Sequence, residues 1–377
     1  MSTLTLHAAS SPKAPSIPKA PPTGVVRFAQ RLQRALGSLA RRMSPPPFAL
    51  LDLVMSRWVG DALAAITELG VPDRLAAGPR DCEALASELG LHAPSLYRVL
   101  RALARSGLLV EGPSRSFALT ETTRALCTDH PHSMRNMVLE VLRPRNTEVW
   151  SRLPESLRTG ASAWGKVHDV DLWTWLEQHP EEHGIFHGAM VELTREAAPA
   201  YAWALDYPSF GTVCDLGGGE GQLLATILAA HPTARGVLVD APRVLEGAPA
   251  VLARYGVRER CELVPGDVFS SAPKGHGLYL AKNILHGLSD ELGLRALRAW
   301  REAMPPGGAL AVIDVVVPAT EGPYLQWLDL QMLLASHGGR ERTRDEFAGL
   351  FASAGLRLER VIETPTPLDL LLARRAD

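Results

Sequence analysis

The chain has 377 residues, of which 46% are hydrophobic and 21% charged, with a formal net charge of −2. That length exceeds what one core usually serves, so two domains are expected, and the balanced charge excludes a global field for nucleic acid or an anionic membrane. No apolar run reaches the roughly 20 residues of a spanning helix. The four cysteines, Cys82, Cys127, Cys214 and Cys261, are scattered without a Cys-x-x-Cys pair or a neighbouring histidine cluster. They read as buried thiols in a reducing, cytoplasmic setting, with no metal expected.

Residues 1–47 form an arm rich in Ala, Pro and Ser, with no Asp or Glu and with Arg27, Arg31, Arg34, Arg41 and Arg42 along an amphipathic pattern. The composition resembles a transit peptide; the plainer reading is a flexible extension whose helical part packs on the body or on a partner subunit. Pro45-Pro46-Pro47 closes the arm. Apolar residues at helical spacing predict a helix over 49–69, with Gly70 at its end. Asp81 is placed to cap a helix through Leu89, which Gly90 terminates, and Pro94 to Ser106 gives a second helix. Two short strands, 107–110 and 117–120, complete a winged-helix order. Arg98, Arg101 and Arg105 share a face of that second helix, so a DNA-binding regulator is the alternative function class. Glu83, Glu88, Glu111 and the net negative charge oppose it. From 130 to 203 the chain reads as helices rich in tryptophan (Trp150, Trp164, Trp173, Trp175), expected in core and interface packing.

After Gly211 strands and helices alternate: strands at 213–216, 236–239, 261–264, 278–284 and 309–317, helices between, then two strand-like runs at 356–363 and 368–374. This predicts a mostly parallel sheet with helices on both faces and an antiparallel pair at one edge. Ligands of such sheets bind beyond the carboxyl ends of the strands. At those ends lie Gly217, Gly219 and Gly221, with Asp215 before them, then Asp240 and Asp267. An acid about 20 residues past a glycine turn takes ribose hydroxyls, which suits a nicotinamide dinucleotide as well. The Gly-x-Gly-x-Gly spacing and three successive acidic strand ends favour S-adenosylmethionine, a cation without a pyrophosphate.

The segments Val213 to Gly221, Gly266-Asp-Val-Phe269, Lys282-Asn-Ile-Leu-His286, Met304-Pro-Pro-Gly-Gly308 and Gly338-Gly-Arg-Glu-Arg-Thr343 resemble those of the caffeic acid and acetylserotonin O-methyltransferase family, including bacterial enzymes that tailor polyketides and antibiotics. The resemblance implies an α/β fold, with a Rossmann-like S-adenosylmethionine-dependent methyltransferase domain and an N-terminal α-helical winged-helix dimerisation domain. It implies Asp215, Gly217, Gly219 and Gly221 at the cofactor turn, Asp240 on the ribose, Asp267, Val268 and Phe269 at the adenine, and Lys282 beside the cofactor. It makes His286 the general base, flanked by Glu341 and Asp314, the latter standing where the family usually has Glu. It points to Phe186, Met190, Trp327, Met332, Ser336 and His337 for the acceptor.

The implied division is 1–47 arm, 48–130 winged-helix dimerisation domain, 131–205 linking helices serving pocket and dimer interface, and 206–377 catalytic domain. The expected protein is a homodimer that methylates a hydroxyl of a small aromatic or polyketide metabolite, without nucleic acid or membrane partners. The family's His-Asp-Trp reads His286-Gly287-Leu288 here, which leaves N- or C-methylation, decarboxylation, hydroxylation or a pericyclic step as alternatives.

Overall fold

The computed structural model describes residues 15–317 and 323–376, so the first fourteen residues of the arm lie outside the described part. The chain resolves into two compact units, one built mainly on Ala197–Thr320 and Glu341–Asp377, the other on Gly24–Glu196 and Glu321–Arg340.

In the first unit seven strands form one sheet: β1 (Thr212–Leu216), β2 (Arg235–Asp240), β3 (Cys261–Pro265), β4 (Leu278–Lys282), β5 (Ala309–Asp314), β6 (Leu356–Ile362) and β7 (Asp369–Arg375). Their order is β6-β7-β5-β4-β1-β2-β3. The first five run parallel and β7 is antiparallel to both β5 and β6, as the alternation and the closing pair predict. The order reverses between β1 and β4, so the carboxyl ends of those two strands flank the switch point. Every residue of β5 is buried, because helices cover both faces of a central parallel strand. Trp300, Phe347 and Phe351 fill one covering layer against Leu216, Tyr279 and Val312.

Two strands end earlier than the sequence suggests. The strand predicted over 278–284 stops at Lys282, because Asn283 adopts a left-handed φ of 56°. The run predicted over 309–317 breaks after Asp314. Val316–Val317 leaves the sheet and pairs in parallel with Arg342–Thr343, which delivers Glu341 and Arg342 to the carboxyl end of the sheet.

In the second unit the winged-helix order is present. Asp81 accepts hydrogen bonds from the amides of Glu83 and Ala84 at 3.0 and 2.9 Å, and Gly90 ends that helix at φ 65°. The hairpin Leu109–Glu111 and Ser116–Leu119 is extended by a third strand, Arg80–Asp81. Arg101 and Arg115 lie over the Tyr97 ring at 5.3 and 4.7 Å. Of the four tryptophans expected in packing, Trp164 is fully buried while Trp173 is 57% exposed. The helix Pro323–Ala335 joins this unit because Trp150 donates to Gln331 at 2.6 Å and the Ala163 amide to the Leu334 carbonyl at 3.1 Å. All four cysteines are buried and free. No described helix is long and apolar enough to cross a membrane.

Candidate active site

The chain leaves β1 through a glycine turn and enters the helix Gln222–Ala230. Gly217, Gly219 and Gly221 hold φ values of 67°, 63° and 83°, a region that side-chain-bearing residues rarely adopt. Space adds a second constraint. A Cβ on Gly217 would lie 2.8 Å from Ile284, and one on Gly218 would lie 2.5 Å from both Asp215 Oδ2 and Leu238. Gly218 is an unspecified position in the Gly-x-Gly-x-Gly pattern, yet its lack of a side chain is what admits the Asp215 carboxylate beneath the turn.

Asp240, at the end of β2, accepts from the amide of Gly219 at 2.8 Å and from that of Ala241 at 2.7 Å. It therefore ties its own strand end to the turn. Exposed Asp267 accepts from the Phe269 amide at 2.9 Å. Val268 is buried, and its carbonyl accepts from Trp300 Nε1 at 2.7 Å. Val268 and Ile284 form an apolar wall against Gly217.

Behind the turn, strand ends bring charged side chains together out of water. Both carboxylate oxygens of Asp215 and of Asp314 are buried with no hydrogen-bond partner among the described residues. Burial, with the Asp240 charge adding to it against Lys282, pushes the Asp215 carboxyl up to about 7. Burial likewise pushes Asp314 up to about 6, opposed by the His286 charge and reinforced by that of Glu341. Lys282, on β4 between these two acids, is pulled down to about 8 by burial against their attraction. A buried carboxylate pair without donors is costly to keep ionised, and such orphaned acids beside a side-chain-free turn fit a ligand that brings positive charge and N–H donors. S-adenosylmethionine, with its amine and sulfonium, has that donor set.

His286 sits in the one-turn helix Leu285–Gly287 that follows β4. Its Nδ1 lies 3.0 Å from Glu341 Oε1, with the glutamate side chain fully buried. A carboxylate can only accept, so Nδ1 donates and Nε2 carries the free lone pair. Burial alone lowers the imidazole pKa, but the Asp314 charge and the Glu341 hydrogen bond outweigh it and the net shift is upward. Asp314 acts on His286 through charge without a hydrogen bond, as its shorter side chain leads one to expect.

Arg342 received no role from the sequence. It is wholly buried, and its Nη1 and Nη2 donate to the carbonyls of Leu285 and Leu288, each at 2.7 Å, while Nε donates to Asp290 at 2.9 Å. It grips both sides of the turn that carries His286. The one signal in the sequence was its place beside Glu341, and nothing there tells a buried arginine from a solvated one.

The six residues expected at the acceptor all fall in the second unit. Phe186 and Met190 share a face of the helix Pro180–Ala202 and are half-buried, with Phe186 edge-on to Trp173 at 5.7 Å. Met332 is half-buried, Trp327 is 60% exposed, and His337 is exposed. Ser336 donates to the Met332 carbonyl at 2.6 Å and accepts from the Gly339 amide at 3.0 Å, which terminates its helix. Among the described residues no group of His, Cys, Asp and Glu could hold a metal ion.

The O-methyltransferase domain family matches residues 150–357, and the O-methyltransferase dimerisation domain family matches residues 51–129. The chain is 36% identical to a phenazine O-methyltransferase of Lysobacter antibioticus, over 86% of this chain and 95% of that one. It is 37% identical to an 8-amino-8-demethylriboflavin N,N-dimethyltransferase of Streptomyces davaonensis, over 79% and 86%. Among solved structures it resembles human N-acetylserotonin methyltransferase in complex with S-adenosylmethionine, with a TM-score of 0.80 at 27% identity, over 89% of this chain and 99% of that one. The chain belongs to the O-methyltransferase family and is an S-adenosylmethionine-dependent methyltransferase of the secondary-metabolite type.

Proposed function

We propose that the enzyme methylates a hydroxyl of a small aromatic or polyketide metabolite, with His286 as general base. The supporting observation is the His286–Glu341 pair, which holds the proton of the neutral imidazole at Nδ1, so that its lone pair is at Nε2, and fixes the plane of the ring. A phenol with a pKa near 10 is mostly protonated at neutral pH, so its proton must leave as the new O–C bond forms. His286 Nε2 takes that proton, and Glu341 and Asp314 stabilise the imidazolium that results. S-adenosylmethionine supplies an electrophilic methyl group, and the protein's share is to align the acceptor with it and exclude water.

In this reading Gly217, Gly219 and Gly221 let the backbone approach the cofactor, Asp215 faces its cationic end and Asp240 takes the ribose. Asp267, Val268 and Phe269 bound the adenine, and Lys282 balances the two buried acids. Phe186, Met190, Trp327, Met332, Ser336 and His337 contact the acceptor, which a homodimer of the 48–130 segment supports. The missing acid at Gly287 is no obstacle, because Glu341 reaches the imidazole from a different part of the chain. The phenazine and riboflavin relatives act on fused aromatic rings, which supports an acceptor of that class. The riboflavin relative is named for N-methylation, and an amine acceptor is the second reading.

The test is turnover of a panel of fused-ring phenols and their amino counterparts with the wild type and His286→Ala. Loss of phenol methylation by a factor of about 100 or more, with cofactor binding intact, is expected. Equal rates in the two proteins would remove the base assignment.

A further inference from the structure

The helix Thr23–Met43 precedes the segment matched by the dimerisation family, which begins at Leu51. Val25, Phe28, Leu32, Leu36, Leu39 and Met43 are each between 50% and 80% exposed. At 100° per residue they fall within an arc of about 80°, while Arg27, Arg31, Arg34, Arg41 and Arg42 lie outside it. Nothing in the helix is buried. An apolar seam this narrow is the geometry of helix against helix, narrower than the broad face of a helix lying in a lipid surface.

Only Ser44 and Pro45 separate this helix from the next, Pro46–Glu68. There Phe48, Leu50, Leu51, Leu53, Val54 and Trp58 are also exposed, from 48% to 64%. At 100° per residue these positions span about 220° of the helix circumference, with Asp52 and Ser56 in the remaining gap, and an exposed apolar arc that broad needs cover from more than one side. A flat lipid surface covers one side, whereas interleaved helices cover several. From Leu51 onward this second helix lies inside the segment matched by the dimerisation family, so the exposed seam of the first helix runs directly into a dimerisation surface.

We propose that the helix Thr23–Met43 is an arm that docks on a second copy of the chain, extending the dimer interface beyond the dimerisation domain of the family. The seam is solvent-facing in the single chain, so acidic substitutions there leave its own core untouched. In the full-length protein, Leu32→Asp with Leu36→Asp should raise the dimer dissociation constant at least about tenfold in a sedimentation dilution series. Gln33→Asp, off the seam, should leave it unchanged, and the milder Leu32→Ala with Leu36→Ala should shift it the same way as the acidic pair. An unchanged constant for both seam variants overturns the proposal. So does wild-type dimer affinity in seam variants that have lost binding to phosphatidylserine vesicles, since the seam would then be a lipid surface. Methyl transfer is not the readout, so failure here is separable from failure of the proposed chemistry.

Discussion

Glu341 Oε1 lies 3.0 Å from His286 Nδ1, with the glutamate side chain fully buried. The Asp314 charge and this hydrogen bond together make the proposed base stronger than an ordinary histidine although burial works against it. Because the base must be unprotonated, kcat/KM should rise with pH and level off, with an apparent pKa above the usual 6.5 of histidine. Glu341→Gln removes one of the two opposing charges, so the acid limb should move to lower pH while kcat falls about tenfold or more. A pH–rate profile that does not move on this substitution would show that another group limits the rate.

Arg342 holds the turn rather than the acceptor, and its substitution should act on geometry. Lysine cannot donate to two carbonyls and to Asp290 in one plane. Arg342→Lys should therefore lower kcat while calorimetric affinity for S-adenosylmethionine stays within about threefold. Arg342→Ala should also destabilise, by about 3 kcal/mol or more, through the loss of its hydrogen bonds to the Leu285 and Leu288 carbonyls, of which Leu285 keeps the Leu288 amide, and of the ion pair with Asp290. Cofactor affinity falling in step with kcat in the lysine variant would argue against a positioning role.

Gly218→Ala should be as damaging as substitution of Gly221, although only the latter stands in the recognised spacing. The added methyl would lie 2.5 Å from Asp215 Oδ2 and Leu238, a separation that forces the carboxylate or the turn to move. Loss of cofactor binding by about tenfold or more is expected, measured by calorimetry on protein that still shows a cooperative melt.

Asp314→Glu extends the side chain towards His286. A new hydrogen bond should raise the apparent pKa of the acid limb further. Asp314 is wholly buried, so the extra methylene should cost about 1–3 kcal/mol of stability. Thermal denaturation and the pH–rate profile of the same variant read the two effects separately.

Asp215 carries a pH signature in stability. Its folded-state value is pushed up to about 7, mainly by burial, from an ordinary 3.8. Between those values the folded state keeps a proton that the unfolded state has lost, so this group's contribution declines as pH rises from about 4 to about 7 and stays at its lower level above. Asp215→Asn removes that decline. Its melting temperature without cofactor should exceed the wild type's by a few degrees at pH 8 and match it near pH 4, while its affinity for S-adenosylmethionine falls. A difference independent of pH would disconnect Asp215 from this titration.

Much of the site was legible because local rules govern its parts. The glycines announce a turn in their own backbone dihedrals. Asp240 and Asp267 follow apolar runs and so stand at strand ends, and Asp81 and Gly90 bound their helix by capping chemistry that needs no distant partner. Arg342 and Gly218 were not legible. The role of Arg342 depends on carbonyls of Leu285 and Leu288, more than fifty residues away in the chain. That of Gly218 depends on where the Asp215 carboxylate folds back.

The sequence by itself determined the order of elements, the doubly wound sheet, the glycine turn and the family, since periodicity, capping and motif spacing are properties of neighbouring residues. Only the tertiary structure decided which charges share a buried space. The breaks after Lys282 and Asp314 and the pairing of Val316–Val317 with Arg342–Thr343 bring Glu341 to His286, and the strand ends bury the Asp215 and Asp314 carboxylates with no hydrogen-bond partner among the described residues. Those relations arise from strands closing over long stretches of chain, and no local pattern encodes the distance at which two remote side chains meet.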